Sequence, residues 1–224
     1  MIPWKQLDVA PTPDGKNEVI LLRRGQEFSI RVDGQELMNS RMFSSEKVLA
    51  KLACNLISHR RGAKVVIGGL GMGFTLASAL NHLESDARVI QVELLPAMVQ
   101  WHDAFLGHLC DHAVTDQRVE IVTQDIIPFL NNGNQYFDAI ILDVDNGPEG
   151  LTQTGNNNLY NKAGLGMLKG RLAPGGVLAV WSAKDCAPFT QRLKLAGFDP
   201  KVHTVSARPN NKGGKHTIWI ATAR

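Results

Sequence analysis

The stretch VVIGGLGMGF (residues 65–74) places an apolar run directly before four glycines within six positions. Glycine is unfavourable inside a helix or a strand, because it loses more backbone freedom on folding than any other residue. Glycines concentrate where the chain turns sharply or where another group approaches the main chain closely. The stretch therefore predicts a buried strand followed by a tight loop that is a candidate ligand site. The four glycines are Gly68, Gly69, Gly71 and Gly73.

Beyond this stretch, apolar runs typical of buried parallel strands alternate with segments of helical periodicity. The further strands are predicted in ARVIQVEL, RVEIVTQD, FDAIILDVD and VLAVWSA. The helices between them are predicted in FTLASALNHL, PAMVQWHDAFLGHL, IIPFLNN, NKAGLGMLKGRL and PFTQRLKLAG. The segments KVHTVSAR and HTIWIATA are too close together for a helical crossover, so we expect an antiparallel hairpin. The sequence thus predicts an α/β fold, a doubly wound, seven-stranded Rossmann-like sheet with a C-terminal antiparallel hairpin.

The N-terminal part of the chain has a different pattern. EVILLRRG and EFSIRVDG alternate apolar and polar residues, and Gly25 and Gly34 mark turns. They predict a small β-hairpin that continues towards QELMNS. A helix then begins in SSEKVLAKLACNLISH, with Ser44 or Ser45 as its cap. We therefore expect an N-terminal β-hairpin appendage (1–46), too small to bury its own core, and a Rossmann-like domain (47–224).

Composition excludes several classes of protein. Hydrophobic residues make up 44% of the chain and charged residues 20%, and the net charge is only +3, as in ordinary globular proteins. The basic segment HRRGAK (59–64) is interpreted as a solvated helix end, so we expect no nucleic-acid partner. No run reaches the ~18 apolar residues of a membrane span, and no signal peptide is recognised. Scattered histidines predict no metal site. Three separated cysteines predict reduced thiols in a cytoplasmic protein: Cys54, Cys110 and Cys186.

The spacing of the glycines argues against a dinucleotide. In doubly wound sheets, ligands bind beyond the carboxyl ends of the strands, so the glycine loop is the expected cofactor site. A dinucleotide fingerprint is G-x-G-x-x-G, but from Gly69 the spacing here is G-x-G-x-G, and Phe74 occupies the last required position. A bare glycine loop is also compatible with a tight turn that binds nothing.

Acidic residues at two consecutive strand ends favour an adenosyl ligand over that alternative. Glu93 ends the strand in VIQVEL, where a carboxylate can accept hydrogen bonds from both ribose hydroxyls. Asp125 ends the strand in EIVTQDI, where it can accept the amino group of an adenine while Ile126 offers its backbone amide. Either acid alone is more simply explained as a solvated strand end, but together with the glycine loop they form a specific constellation.

Two further carboxylates, Asp143 and Asp145, follow the strand FDAIIL and point towards the same cleft. A carboxylate there attracts a cationic sulfonium, and it can accept a proton from an amine and leave a nucleophilic lone pair. The alternative is a turn in which Asp and Asn cap the loop, because DNGP is good turn chemistry.

Over nearly the whole chain, these motifs resemble the spermidine synthase (polyamine aminopropyltransferase) family. The segments that carry the resemblance are VVIGGLGMGFTL, VIQVELLPAMV, RVEIVTQDIIPFL, FDAIILDVDNGPEG and LYNKAGLGMLKGRLAPGGVLAVWS. The resemblance implies a fold of the adenosylmethionine-dependent methyltransferase class, a homodimer, and aminopropyl transfer from decarboxylated S-adenosylmethionine to a small-molecule amine. It implies catalysis by Asp143 and Asp145. It implies cofactor binding by Gly68, Gly69, Gly71, Gly73, Glu93, Leu94, Asp125, Ile126 and Asp143.

The chain departs from the family pattern near the expected amine site. Gly71 stands where family members carry an aspartate in the glycine loop. Ser44 and Ser45 stand where they carry a Tyr-His pair, and the second acid follows Asp143 by two residues instead of three. Two other functions therefore stay open: methyl transfer from intact S-adenosylmethionine, and non-catalytic binding of an adenosyl metabolite.

Overall fold

The first four strands form an antiparallel sheet of their own. The computed structural model describes residues 2–144, 148, 157–209 and 212–223. The sheet has the order β1-β2-β3-β4, in which β2 and β3 are the predicted hairpin. The strand β1 was not predicted, because its alternation is weak and most of its side chains are exposed. The bounds are β1 (Lys5–Pro11), β2 (Glu18–Arg24), β3 (Glu27–Val32) and β4 (Gln35–Asn39).

The remaining strands form the predicted seven-stranded sheet. They are β5 (Lys64–Gly68), β6 (Arg88–Glu93), β7 (Val119–Thr123), β8 (Phe137–Leu142), β9 (Leu172–Ser182), β10 (Phe198–Ser206) and β11 (Lys215–Ala223). Their order is β10-β11-β9-β8-β5-β6-β7. The five strands β5 to β9 are parallel, and β11 pairs antiparallel with both β9 and β10. The order reverses on either side of β5, which places the glycine loop at the topological switch point.

Helices cover both faces of this sheet. They are α1 (Ser44–Ile57), α2 (Phe74–Leu80), α3 (Pro96–Trp101), α4 (Ile126–Asn132), α5 (Asn157–Tyr160), α6 (Lys162–Arg171) and α7 (Ala187–Leu195). Val65 and Ile67 of β5 pack in one core with α1 and α2, whereas Val66 packs in a second core with α4, α6 and α7. The continuous apolar run in β5 thus has a physical cause, because its side chains are buried on both faces. None of the helices in the described ranges combines the length and the apolar character needed to cross a bilayer.

The predicted cap of α1, Ser44 or Ser45, was wrong, because Phe43 precedes the helix and no side chain caps it. Two element boundaries were also clearly displaced. The helix predicted over residues 96–109 ends at Trp101 and continues as a π-helical turn (His102–Leu106) and a 3₁₀ turn (Gly107–Cys110). The strand predicted to begin at Val177 begins at Leu172, and its pairing with β8 shifts register between Phe137 and Ala139. This irregularity lets the glycine-containing segment before Val177 join the strand instead of forming a loop.

The N-terminal sheet packs on the segment around α3 in the same chain. Phe28 and Ile30 share a core with Met98 and Trp101, and all four are buried. The indole Nε1 of Trp101 also donates a hydrogen bond of 2.7 Å to a carboxylate oxygen of Asp8 in β1. The small sheet therefore shares its core with the larger domain, next to the glycine loop.

Candidate active site

The glycine loop after β5 is tightly enclosed by other parts of the protein. Gly69 has a φ of +83°, and a Cβ there would lie 2.3 Å from the carbonyl oxygen of Asp143. A Cβ at Gly71 would lie 2.8 Å from the terminal methyl carbon of Met38 in β4, and one at Gly73 would lie 2.7 Å from the Sγ of Cys110. Real Cβ atoms do not approach neighbours that closely. At Gly69 the neighbour is main chain, so packing requires glycine there whatever the loop binds. At Gly71 and Gly73 the neighbours are side chains, and the positive φ values of +49° and +79° add to the preference for glycine.

Gly68 connects the loop to the neighbouring strand ends. A Cβ at Gly68 would lie 3.3 Å from side-chain carbons of Ile126 and Val144, a contact that is only slightly tight. The carbonyl oxygen of Gly68 accepts a hydrogen bond of 3.0 Å from the backbone N–H of Asp143. The structure thus brings Gly68, Ile126 and Asp143 together at the carboxyl edge of the sheet, as the strand-end pattern predicts.

Glu93 is buried at the end of β6 and holds the glycine loop in place. Its Oε2 accepts a hydrogen bond of 2.7 Å from the backbone N–H of Leu70, and its Oε1 accepts one of 2.8 Å from that of Leu95. Burial raises the pKa of the Glu93 carboxyl, while the amides of Leu95, Leu70 and Leu94 act in the opposite direction. Each carboxylate oxygen has two acceptor positions, so these bonds still leave acceptor capacity for a ribose hydroxyl.

Asp125 lies at the next strand end and caps α4. Its Oδ1 accepts a hydrogen bond of 2.7 Å from the backbone N–H of Ile127, which is standard N-cap geometry. The sequence did not separate this structural role from adenine binding. The two roles are compatible, because the cap uses Oδ1 and fixes the orientation of the carboxylate at the cleft.

Asp143 follows β8 directly, and its main chain packs against the glycine loop. The hydroxyl of Thr75 in α2 donates a hydrogen bond of 2.5 Å to its Oδ2. Burial raises the pKa of Asp143 to about 6, and the bond from Thr75 acts against that rise. A carboxyl with such a pKa exchanges protons near neutral pH, which suits a general base. The other predicted catalytic acid, Asp145, lies outside the described residues.

The structure adds three residues that sequence reasoning did not assign to the site. Glu46 lies in the first turn of α1, and burial together with the charge of Asp143 raises its pKa to about 8. The hydroxyl of Ser45 donates a hydrogen bond of 2.6 Å to Oε2 of Glu46, and it lies 2.8 Å from Nδ1 of His216 in β11. The position of Ser45 and Glu46 at the hairpin-to-helix junction could have indicated that they belong to the site. Nothing in the sequence pointed to His216, because 171 residues separate it from Ser45.

His102 supports the loop from the π-helical turn. Its Nε2 donates to the carbonyl oxygen of Gly71 at 2.9 Å, since a carbonyl oxygen can only accept. Its Nδ1 therefore faces the Cys110 thiol, 3.5 Å away, as an acceptor. Within the described part of the chain, His, Cys, Asp and Glu side chains form no group of three that could hold a metal ion.

A family model covers most of the chain, including the glycine loop. Residues 42–193 match the model described as spermine/spermidine synthase domain. The match begins just before Glu46 and extends past β9, so it includes the glycine loop and the three strand ends that follow it.

Curated relatives point to the same family. Polyamine aminopropyltransferase 2 of Pseudomonas aeruginosa is 31% identical over 157 residues, which are 68% of this chain and 40% of the relative. Polyamine aminopropyltransferase 1 of Streptomyces coelicolor is 30% identical over 157 residues, which are 69% of this chain and 27% of the relative. The chain thus spans two fifths or less of the length of these relatives.

Solved structures support the fold. Spermidine synthase from Thermotoga maritima aligns with a TM-score of 0.75 and 17% identity, covering 98% of this chain and 73% of that one. A spermidine synthase in complex with the transition-state analogue AdoDATO aligns with a TM-score of 0.72 and 18% identity. The structural likeness covers the N-terminal sheet as well as the larger domain. The family model spans residues 42–193, which include the glycine loop and the strand ends with Glu93, Asp125 and Asp143. The chain belongs to the spermine/spermidine synthase family.

Proposed function

We propose that the protein transfers an aminopropyl group from decarboxylated S-adenosylmethionine to a small-molecule amine. The observation that carries the proposal is the placement of Asp143. Its side chain is partly buried at the end of the central strand β8, against the glycine loop, and desolvation raises its pKa to about 6. The names of the relatives, polyamine aminopropyltransferases, support the same reaction.

The co-substrate is proposed to bind across the three strand ends. Glu93 would accept the ribose hydroxyls, Leu94 would line the ribose, and Asp125 with the amide of Ile126 would receive the adenine. The glycine loop, with Gly68, Gly69, Gly71 and Gly73, would pass beside the sulfonium and its substituents. The residues present suit an adenosyl group, because two acids are held in fixed orientations by backbone amides at neighbouring strand ends.

Asp143 is proposed to act as the general base. It takes a proton from the ammonium of the acceptor, and the freed nitrogen lone pair attacks the methylene carbon next to the sulfonium. The new C–N bond forms as the C–S bond breaks, and the sulfur keeps the bonding electrons, which yields neutral methylthioadenosine. General-base assistance of this kind is worth ~10²–10⁴-fold in rate. We propose that Asp145 fixes the charge and orientation of the amine.

A second candidate is methyl transfer from intact S-adenosylmethionine. The observation that favours it is Gly71, which stands where other family members carry an aspartate. The loop therefore offers no carboxylate for the amine of an aminopropyl group, and Met38 packs there instead, with its methyl carbon 2.8 Å from where a Cβ would be. A non-catalytic binding module is excluded if the protein turns over either co-substrate.

We also propose the organisation of the chain. Residues 1–46 would act as an appendage to a transferase domain of residues 47–224, and two chains would associate through the small sheet. Exposed apolar side chains on and beside that sheet support association: Ile2, Val9 and Leu37. A cytoplasmic location is proposed because Cys54, Cys110 and Cys186 are buried thiols that form no disulfide.

The test is Asp143→Asn, which keeps the size of the side chain and removes its charge. We expect turnover with an amine acceptor to fall by ~10²–10⁴-fold while methylthioadenosine binding, measured by calorimetry, stays within a few-fold. The exposed Asp103→Asn serves as the matched control and should change neither quantity. Normal turnover by Asp143→Asn would show that Asp143 only caps its loop, and the proposed mechanism would be wrong.

A further inference from the structure

Glu46 and Asp143 are two neighbouring acids without a cation. Among the ion pairs of the described residues, neither carboxyl has a Lys, Arg or His partner. Burial and the charge of Asp143 raise the pKa of Glu46 to about 8, whereas burial raises the pKa of Asp143 to about 6. The charge of Asp143 opposes ionisation of Glu46, so we expect the two carboxyls to share one proton near neutral pH.

Ser45 connects Glu46 to His216 through a row of hydrogen bonds that can form whether Glu46 is ionised or protonated. A hydroxyl donates only one hydrogen. When Glu46 is ionised, Ser45 donates to Glu46 and accepts the Nδ1–H of His216. When Glu46 is protonated, it donates to Ser45, and Ser45 donates to Nδ1. The distances of 2.6 Å and 2.8 Å suit both arrangements, so a proton can pass along the chain by reversing its polarity.

His216 is well placed to release a proton from this chain. It is partly exposed, and its ring lies edge-on to Trp181 with 4.7 Å between the ring centroids. Burial lowers the pKa of the imidazole, so it gives up a proton readily near neutral pH. Val205 pairs with it from β10, and the neighbouring cation, Lys215, donates a hydrogen bond to the hydroxyl of Ser206.

We propose that Glu46 and Asp143 together bind the ammonium of the acceptor amine, and that Ser45 and His216 carry the proton displaced from Glu46 out of the cleft. This inference rests on the proposed amine-transfer function and extends it to three residues on α1 and β11. Glu46 is a further carboxylate of the amine site, beside Asp143 and Asp145, and Ser45 and His216 are residues that act through it.

The proton balance closes over one turnover. When the ammonium enters, Glu46–COOH donates its proton to Ser45, whose own proton passes to Nδ1 of His216, and the imidazolium releases a proton to solvent. The pair now holds two negative charges beside one ammonium. The ammonium then gives a proton to the pair, and its lone pair attacks the methylene carbon as the C–S bond breaks. The pair ends with one proton, as it began, and one proton has left per bond formed.

Proton release on binding tests the carboxyl pair. We would titrate the methylthioadenosine-bound protein with 1,4-diaminobutane by calorimetry at pH 7, in two buffers of different ionisation enthalpy. The wild type should release about one proton per amine bound, because a cation favours the ionised form of both acids. Glu46→Gln, which has no proton to lose, should bind the amine with release close to zero.

His216→Asn tests the relay. The Asn side chain can keep a hydrogen bond to Ser45 but cannot carry a proton. We therefore expect kcat to fall by about a hundredfold or more, with KM unchanged. Added imidazole should restore much of the rate, which a merely structural role would not produce. His203→Asn makes the same substitution in the same hairpin, on β10, and should behave as the wild type.

The outcomes separate the relay from the proposed function. If the wild type turns over an amine but Glu46→Gln releases as many protons, or His216→Asn keeps the wild-type kcat, the relay is wrong and the proposed function stands. If the wild type neither turns over nor binds an amine, both are wrong. Ser45→Ala removes the hydroxyl that links Glu46 to His216 and leaves both titrating side chains in place. It should reproduce the kinetic defect of His216→Asn.

Discussion

Gly69→Ala perturbs the loop at the position where the structure leaves least room. The added Cβ would lie 2.3 Å from the carbonyl oxygen of Asp143, about 1 Å closer than ordinary van der Waals contact. The nearest atoms belong to the main chain of Asp143, which a rotamer change cannot move. Either the glycine loop or the segment after β8 must shift, and Asp143 moves with it.

The expected loss of unfolding free energy in Gly69→Ala has two contributions, and a matched control variant separates them. A left-handed φ costs a residue with a Cβ about 1–2 kcal/mol. Relieving the clash adds about 1–3 kcal/mol, as overpacking does in a dense core. Gly62 also has a positive φ, of +59°, but an added Cβ there would meet nothing within 4 Å. Gly62→Ala therefore measures the backbone contribution alone, at about 1–2 kcal/mol of lost unfolding free energy.

Urea unfolding and calorimetry provide the assay. Gly69→Ala should lose about 2–5 kcal/mol of unfolding free energy and bind methylthioadenosine at least about tenfold more weakly, since the loop is displaced. Gly62→Ala should bind it normally. If the two variants are equally destabilised and both bind normally, the loop is not packed as described, and Asp143 is not fixed by it.

Three further predictions concern the acids. Glu93→Gln should weaken methylthioadenosine binding by about 1–3 kcal/mol in calorimetry, because the amide has only one acceptor oxygen and cannot serve both the loop and the ribose. Unchanged affinity would contradict the ribose assignment. The pKa of Glu46 rises from 4.5 in the unfolded chain to about 8 when folded, so the folded state holds the proton more strongly and stability falls as pH rises between these values. Allowing for partial solvent access, this contribution is about 2–4 kcal/mol. Urea unfolding at pH 5 and pH 8.5 should show a loss of stability that is smaller by that amount in Glu46→Gln than in the wild type, while Asp143 and Glu93, whose pKa values are also raised, contribute to the loss in both. Thr75→Val removes the hydroxyl that lowers the pKa of Asp143, so the acid limb of the pH–rate profile should move to higher pH; an unmoved limb would mean that Asp143 is not the base.

Local patterns in the sequence predicted most of the fold. The helix in IIPFLNN occupies Ile126–Asn132 as predicted, and the hairpin of β10 and β11 follows from a connection too short for a crossover. The π-helical turn after Trp101 was missed, because it serves a distant contact: it carries His102 to the carbonyl oxygen of Gly71. Helical periodicity does not contain that information.

The site residues also include some that the sequence predicted and some that it could not. Glu93, Asp125 and Asp143 could be predicted because the carboxyl ends of parallel strands meet at one edge, so their position along each strand places them. The glycine spacing suggested a ligand, yet much of the demand for glycine comes from Met38, Cys110 and the main chain of Asp143. Sequence reasoning could not find His216, since only the finished sheet brings β11 to the first turn of α1.

The most direct measurement is a parallel incubation of the protein with S-adenosylmethionine and with its decarboxylated form, across a panel of amines, with products identified by mass spectrometry. We expect methylthioadenosine and an amine enlarged by one aminopropyl group, from the decarboxylated form only. Adenosylhomocysteine and a methylated acceptor would instead establish methyl transfer. No product from either co-substrate would contradict the proposal that this chain is an aminopropyltransferase.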